Sequence, residues 1–174
     1  MVPIHDTSSG ETINIHFVAL FSSKPDAIPV LLFHGWPGSF LEFLPMLDIL
    51  QNKYTPETLP YRIVVPSLPG YAFSELPTST FRPLDDLSFI RLDNSVIEQD
   101  TIVVDAGRWM NELAIGLGFG DGYVLQGGDL GSRLARVMTV YPGCKGKDVT
   151  SFLLPMTQTY AAVHCKSVRN EIQI

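Results

Sequence analysis

Two glycine-rich segments, each lying between a short apolar run and a helical pattern, constrain the fold of this chain more than any other feature. HGWPGS (residues 34–39) follows the apolar run 28–33, and QGGDLGS (126–132) follows the run 123–125. Glycine permits tight turns and close backbone approach, and short continuous apolar runs are typical of strands buried on both faces. We therefore predict two strand–turn–helix units in one sheet.

Further periodic segments extend this pattern. Alternation at 12–21 predicts a half-buried strand, and a Ser39/Glu42 S-x-x-E pair predicts a capping box at a helix start, with Pro45 in or near its first turn. The other predicted elements are strands at Ile28–Phe33, Tyr61–Val65, Tyr123–Leu125 and Val149–Leu154, and helices after Ser39, from Asp105 to Gly118, and from Leu130. Short strands alternating with amphipathic helices predict a mostly parallel sheet with helices on both faces.

The length of 174 residues fits one domain. Two stretches inside it lack a sustained period. We predict an irregular surface insert near residues 78–104, in which Thr101–Val104 is strand-like, and an off-pattern tail from about residue 157.

Composition excludes several classes of protein. Lys and Arg number 12 against 18 Asp and Glu, so the net charge is −6, which argues against nucleic acid or an anionic membrane as partner. Hydrophobic residues make up 45 %, enough for a packed core. The apolar run 30–33 is far shorter than a membrane helix, and the first residues show no secretory signal pattern. We therefore expect a cytosolic globular protein.

The two glycine-rich segments also suggest chemistry. A strand-to-helix loop such as HGWPGS presents backbone N–H groups that stabilise developing negative charge, although it is equally compatible with a simple turn. QGGDLGS has the small-x-nucleophile-x-small form, with Asp129 at the nucleophile position and Gly127 and Gly131 allowing the sharp turn. The alternative is that Asp129 only caps the following helix.

A third segment, Pro66–Ser74, follows the strand predicted at 61–65. Its prolines and glycine specify a rigid loop, and by themselves they predict a turn and nothing more.

Together the three motifs resemble the epoxide hydrolase branch of the α/β-hydrolase superfamily, most closely its microsomal-type and fungal soluble members. The likeness covers roughly residues 12–77 and 105–143. It implies a single, partial α/β-hydrolase domain at 1–174. It also implies Asp129 as the nucleophile. The backbone N–H groups of Trp36 and Leu130 would form the oxyanion hole, and the residues that shape the two loops would be His34, Gly35, Pro37, Gly127, Gly128 and Gly131.

The resemblance implies hydrolysis of a small epoxide to a vicinal diol. A carboxylate attacks an epoxide carbon to form an alkyl-enzyme ester, and base-activated water then hydrolyses this ester. Lid tyrosines protonate the epoxide oxygen in the family. No cofactor or metal is implied, and detoxification or secondary metabolism would both suit such an activity.

The sequence departs from the family after the nucleophile, where a lid, an acid and a catalytic histidine should follow in that order. After Asp129 come 174 − 129 = 45 residues, which contain one histidine, His164, and the acids Asp148 and Glu171. The segment around His164 shows no strand-and-loop context, so we expect this histidine to be exposed or locally packed. We also expect the lid and last strands to be missing and activity to be impaired.

Other functions stay open. A haloalkane dehalogenase also uses an aspartate nucleophile but typically has tryptophan where Leu130 stands, and a serine esterase is disfavoured by Asp129. The alternative outside catalysis is a remnant or interaction module of the same fold. Its uncovered sheet would invite self-association or a partner chain.

Overall fold

A computed structural model describes residues 1–6, 10–76, 97–139, 141, 148–153 and 159–166. Strands and helices alternate along most of this chain. The strands are β1 (Val2–His5), β2 (Thr12–Ile15), β3 (Phe17–Leu20), β4 (Ile28–Phe33), β5 (Tyr61–Pro66), β6 (Gly122–Gly128), β7 (Asp148–Leu153) and β8 (Thr159–Lys166). The helices are α1 (Leu44–Lys53), α2 (Ile97–Gly116) and α3 (Asp129–Met138), and a 3₁₀ helix at Phe40–Phe43 precedes α1.

A six-stranded sheet in the order β3-β5-β4-β6-β8-β7 organises the described residues. β4 pairs in parallel with both β5 and β6, and Phe33 aligns with Gly127. β3 is antiparallel to β5, β8 to β6, and β7 to β8. Four of the six strands therefore run in one direction, namely β4, β5, β6 and β7. This confirms the prediction that most strands of the sheet are parallel. β1 and β2 form a separate antiparallel pair.

Helices cover both faces of this sheet, as the alternating pattern predicts. Along β4 and β5 successive side chains point to opposite faces, so Leu31 and Phe33 belong to one apolar cluster while Leu32 belongs to the other. The larger cluster lies under α2, α3 and the β1–β2 pair. The smaller lies under the 3₁₀ helix and α1 and contains Leu32, Phe40, Leu47, Ile63 and Val65.

α2 and α3 approach closely because a glycine stands at their contact. A Cβ on Gly107 would lie 2.9 Å from Val137 Cγ1 and 3.2 Å from the ring of Tyr141. The Tyr141 hydroxyl donates to the carbonyl oxygen of Val104 at 2.7 Å. This contact holds α3, whose first residue is Asp129, against α2.

An ion-pair cluster attaches the N-terminal strand pair to α2. One guanidinium nitrogen of Arg108 lies 3.0 Å from Asp6 and 2.9 Å from Asp105, and the Asp6 side chain is nearly buried. A buried carboxylate needs such a partner because desolvation of an uncompensated charge is costly.

Several predicted boundaries change in the structure. The expected strand at 12–21 is two strands separated at His16, which lies at the crossing from the small sheet into the large one. The strand-like prediction for Thr101–Val104 is wrong, because α2 begins at Ile97 and packing against α3 overrides the β-branched local sequence. Residues 78–96 of the predicted insert lie outside the described residues.

The tail prediction is also wrong in part. We expected no strand around His164, whereas β8 includes it and pairs with β6. The edge of β6 supplies unpaired backbone groups, which recruit a strand irrespective of the polar residues that follow it. No helix in the described ranges is both long enough and apolar enough to cross a membrane.

The burial of α2 generates a stability prediction. Leu113 is fully buried, whereas Ile115 on the same helix is 41 % exposed. Leu113→Ala should lower the free energy of unfolding by about 2–5 kcal/mol, since it removes packed methyl groups. Urea denaturation followed by circular dichroism measures this change. The matched control Ile115→Ala should stay within about 0.5 kcal/mol of the unmodified chain, and equal effects would contradict the assigned face of α2.

Candidate active site

Three loops meet at one edge of the large sheet because they follow parallel neighbouring strands. β5, β4 and β6 are adjacent and run in the same direction, so their carboxyl ends lie side by side. The segments that follow them are residues 67–75, residues 34–39 and the turn into α3 at Asp129. In open α/β sheets this edge is where ligands bind.

Asp129 lies at a sharp turn between β6 and α3. The preceding Gly128 is extended, whereas Asp129 has φ +50° in the left-handed region. Such a backbone is uncommon for a residue with a Cβ and costs roughly 1–2 kcal/mol. Asp129 is exposed at the edge of the sheet, where β6 ends.

Two glycines make this turn sterically feasible. A Cβ on Gly127 would overlap the carbonyl group of Gly131. A Cβ on Gly131 would lie 2.5 Å from the carbonyl oxygen of Phe33 and 2.8 Å from that of His34. The first turn of α3 therefore packs directly on the backbone at the end of β4.

The loop after β4 contacts the Asp129 side chain. A Cβ on Gly35 would lie 2.8 Å from the Cβ of Asp129, so a side chain at position 35 would push the carboxylate away. The next backbone N–H, that of Trp36, donates to Asp129 Oδ2 at 2.8 Å. Trp36 is 70 % exposed, and it contacts the carboxylate through its backbone. A cis peptide bond joins Trp36 to Pro37.

Leu130 follows Asp129 in the first turn of α3, and its side chain packs against the larger apolar cluster. At a helix start the first backbone N–H groups have no acceptor within the helix. The N–H of Leu130 is such a group by its position, one residue after the carboxylate.

His34 is fully buried beneath this loop and holds it from below. Its Nε2 accepts a hydrogen bond from the Leu68 N–H at 3.1 Å, which leaves the proton on Nδ1. Nδ1 lies 3.1 Å from the carbonyl oxygen of Gly35, to which it donates. The peptide between Gly35 and Trp36 is thus bound at both ends, its C=O by His34 and its N–H by Asp129.

Burial lowers the pKa of His34, and the contact with the Gly35 carbonyl and the charge of Glu42 partly oppose this. The imidazole is therefore neutral at neutral pH. A neutral ring is also what the two hydrogen bonds require, because Nε2 acts as an acceptor.

Tyr71 lies in the loop after β5, close to both His34 and Asp129. Its ring meets the His34 ring edge-on with centroids 5.2 Å apart. Burial raises the pKa of Tyr71, and the nearby Asp129 carboxylate raises it further. Tyr71 therefore keeps its proton at neutral pH. The sequence pattern at 66–74 predicted only a turn, and the spacing alone carried no signal for this contact.

Glu42 was also missed as a site residue. Sequence spacing placed it in a capping box with Ser39, and Ser39 Oγ does accept from the Leu41 N–H at 3.4 Å. The Glu42 carboxylate, however, accepts from the Gly35 N–H at 3.3 Å. The S-x-x-E pattern marks the helix start correctly, but the loop preceding Ser39 folds back over the carboxylate.

β8 gives two further residues a position relative to this edge. Tyr160 stands opposite Gly128, whereas His164 stands opposite Val124. Four residues of strand separate these positions, which corresponds to about 13 Å. His164 is therefore placed toward the amino end of β6, away from the turn at Asp129. Within the described ranges, no group of three or more His, Cys, Asp or Glu residues could hold a metal ion.

Two protein-family models match this chain. The family described as "Epoxide hydrolase N terminus" matches residues 2–43, and the "alpha/beta hydrolase fold" family matches residues 28–142. A Dothistroma septosporum protein named "Putative epoxide hydrolase" is 49 % identical over 148 residues, which are 84 % of this chain and 31 % of that protein.

Solved structures give the same result. The Aspergillus niger epoxide hydrolase superposes with a TM-score of 0.61 at 44 % identity, over 76 % of this chain and 30 % of that one. Juvenile hormone epoxide hydrolase from Bombyx mori has a TM-score of 0.53 at 30 % identity, over 74 % of this chain and 30 % of that one. The chain thus spans about 31 % of the length of the curated relative with 49 % identity.

The strained backbone at position 129 predicts that glycine there gives a more stable chain than alanine does. Asp129→Gly and Asp129→Ala both remove the carboxylate, but only glycine adopts φ +50° without strain. The glycine variant should exceed the alanine variant in free energy of unfolding by about 1 kcal/mol. Urea denaturation of the two variants side by side measures the difference. An alanine variant as stable as the glycine variant would mean that position 129 is unstrained.

Burial of His34 predicts a pH dependence of stability. The pKa of His34 is lower in the folded chain than in the unfolded chain, so the unfolded state binds more protons as the pH falls through about 6.5. Stability from the neutral ring is therefore complete above that pH and is lost below it, by at most about 1.4 kcal/mol per pH unit. Urea unfolding at pH 7.5 and 5.5 measures this loss.

His34→Gln should show a smaller loss between the two pH values, even if it is less stable at both. His16, whose pKa burial also lowers, is present in both proteins and cancels in the comparison. An unchanged pH dependence in His34→Gln would contradict a neutral buried imidazole.

Proposed function

Because this chain belongs to the epoxide hydrolase branch of the α/β-hydrolase family, we propose that it opens small epoxides through an ester bond to Asp129. The observation that carries this proposal is the 2.8 Å hydrogen bond from the Trp36 N–H to Asp129 Oδ2. It orients a carboxylate that the strained turn exposes at the carboxyl edge of the sheet.

The first step is nucleophilic attack. Trp36 holds Oδ2, so Oδ1 is the oxygen available to attack an epoxide carbon. The C–O bond of the strained ring breaks as the Oδ1–carbon bond forms, and the electron pair goes to the epoxide oxygen. An acid must supply a proton to that oxygen. Tyr71 keeps its proton and lies near Asp129, although the resemblance assigns this task to tyrosines of a lid.

The second step is hydrolysis of the ester. Water attacks the carbonyl carbon of the Asp129 ester, and a tetrahedral oxyanion forms where Oδ2 now lies. The N–H groups of Trp36 and Leu130 stabilise this charge in the proposal, and His34 orients the first of them through Gly35. Collapse of the intermediate releases the diol and regenerates the Asp129 carboxylate.

The hydrolytic step needs a general base. Within these residues His164 is the one histidine after Asp129, and its position opposite Val124 is remote from the turn. We therefore propose that this chain by itself forms the ester faster than it hydrolyses it. In a longer protein, or with a partner chain that supplies a base, the ester would be hydrolysed and the Asp129 carboxylate regenerated for another reaction.

Intact-mass spectrometry after incubation with styrene oxide tests the proposal. We expect one added epoxide mass that peptide mapping places on Asp129, with little diol formed. Asp129→Asn serves as the matched control, because a neutral amide of the same shape is a poor nucleophile and should carry no adduct.

Each other outcome has a distinct meaning. Repeated turnover to diol would support Asp129 as the nucleophile. It would contradict the proposal that the ester accumulates, and it would show that a general base acts in this chain. Absence of both adduct and diol from a folded chain would contradict the catalytic proposal and favour a non-catalytic interaction module. Release of halide from a haloalkane instead would favour a dehalogenase, although such enzymes typically have tryptophan where Leu130 stands.

A further inference from the structure

Glu42 contacts the loop that carries the Trp36 N–H, although it takes part in neither the nucleophilic attack nor the ester hydrolysis proposed for Asp129. Its Oε1 lies 3.3 Å from the backbone nitrogen of Gly35, seven residues earlier in the chain. A Cβ on Gly38 would lie 3.3 Å from both carboxylate oxygens. The carboxylate therefore occupies the concave side of the loop, between its first glycine and its last.

Gly35 is the residue that most needs such a contact. Asp129 excludes a side chain at position 35, and glycine has the widest backbone freedom of any residue. Two hydrogen bonds fix its polar groups, from its N–H to Glu42 and from His34 to its C=O. The peptide that Glu42 holds and the peptide that carries the Trp36 N–H meet at the Gly35 Cα, so fixing the first limits the φ and ψ angles that orient the second.

We propose that Glu42 is a positioning residue that sets the direction of the Trp36 N–H toward Asp129 by holding the Gly35 N–H. This role rests on the proposed function of Asp129 as the nucleophile. Glu42 acts through the backbone and touches no reacting atom.

The hydrogen bond and the negative charge of Glu42 should have opposite effects on the reaction at Asp129. A second carboxylate near the loop disfavours negative charge at the oxyanion site, and this charge develops only in the hydrolytic step, after the adduct has formed. Glutamine keeps an oxygen that accepts the Gly35 N–H but removes the charge. Glu42→Gln and Glu42→Ala therefore separate the hydrogen bond from the electrostatic effect.

Exposure of Glu42 makes the substitution practical. The side chain is exposed in the 3₁₀ helix, so its removal should leave the core and the fold intact. Glu57 provides the matched control, because it is an exposed glutamate in the turn before β5 and removes the same charge in Glu57→Ala.

The experiment measures the rate of adduct formation on Asp129 at a series of styrene oxide concentrations in the complete chain. Glu42→Ala should lower the limiting rate of adduct formation by about tenfold because the Asp129 carboxylate loses its fixed direction, which is less than the roughly hundredfold cost of a full 1 Å misplacement. The epoxide concentration at half the limiting rate should not change, because Glu42 makes no contact with substrate in this proposal. Glu42→Gln and Glu57→Ala should stay within about twofold of the unmodified chain.

Amide ¹H–¹⁵N shifts supply a readout that does not depend on chemistry. Glu42→Ala should shift the amide signals of both Gly35 and Trp36, and Glu42→Gln should restore the Trp36 signal. Unshifted Trp36 in Glu42→Ala, or a limiting rate equal to that of Glu57→Ala, would overturn the positioning role.

Failure of the two proposals gives different results. If the unmodified chain forms no adduct, the proposed function fails, and the Trp36 amide shift in Glu42→Ala still decides whether Glu42 positions the loop. If the adduct forms at the same rate with and without Glu42, the positioning role fails while the proposed function stands.

Discussion

Backbone-on-backbone packing between two strand-to-helix turns is the constraint on which the rest of this structure depends. Gly131 lies against the carbonyl oxygens of Phe33 and His34, and Gly127 lies against Gly131. At these separations a single methyl group would force the turns apart. The same contact sets the axis of α3, the strained φ of Asp129 and the distance from its carboxylate to the loop after β4.

Polar contacts then convert this close packing into a defined direction for one N–H group. Leu68 donates to His34, His34 donates to the Gly35 carbonyl, and the next N–H meets Asp129. The two residues in each hydrogen bond are either close in sequence or held by paired strands. The loops after β4, β5 and β6 are therefore held in fixed positions relative to one another. Hydrogen bonds in such a chain polarise one another when they are shielded from water, as the buried imidazole is here.

Much of the fold follows from local patterns. The apolar run at 28–33 corresponds to β4 without any change of bounds, and the glycine-rich turns stand where the spacing places them. The errors lie where a distant partner outweighs local propensity. Thr101–Val104 has β-branched residues yet continues α2, which packs on α3, and the segment with His164 has polar flanks yet pairs with β6.

The sequence by itself determined the alternation of strands and helices from β4 to β7 and the two glycine-rich turns, one of which carries Asp129, because apolar periodicity and glycine positions act over a few neighbouring residues. Only the tertiary structure decided which groups meet Asp129. The Trp36 N–H, the Tyr71 ring and the Glu42 carboxylate reach the site through loops joined by strand pairing. Their directions depend on backbone angles and sheet register, which residue spacing does not encode.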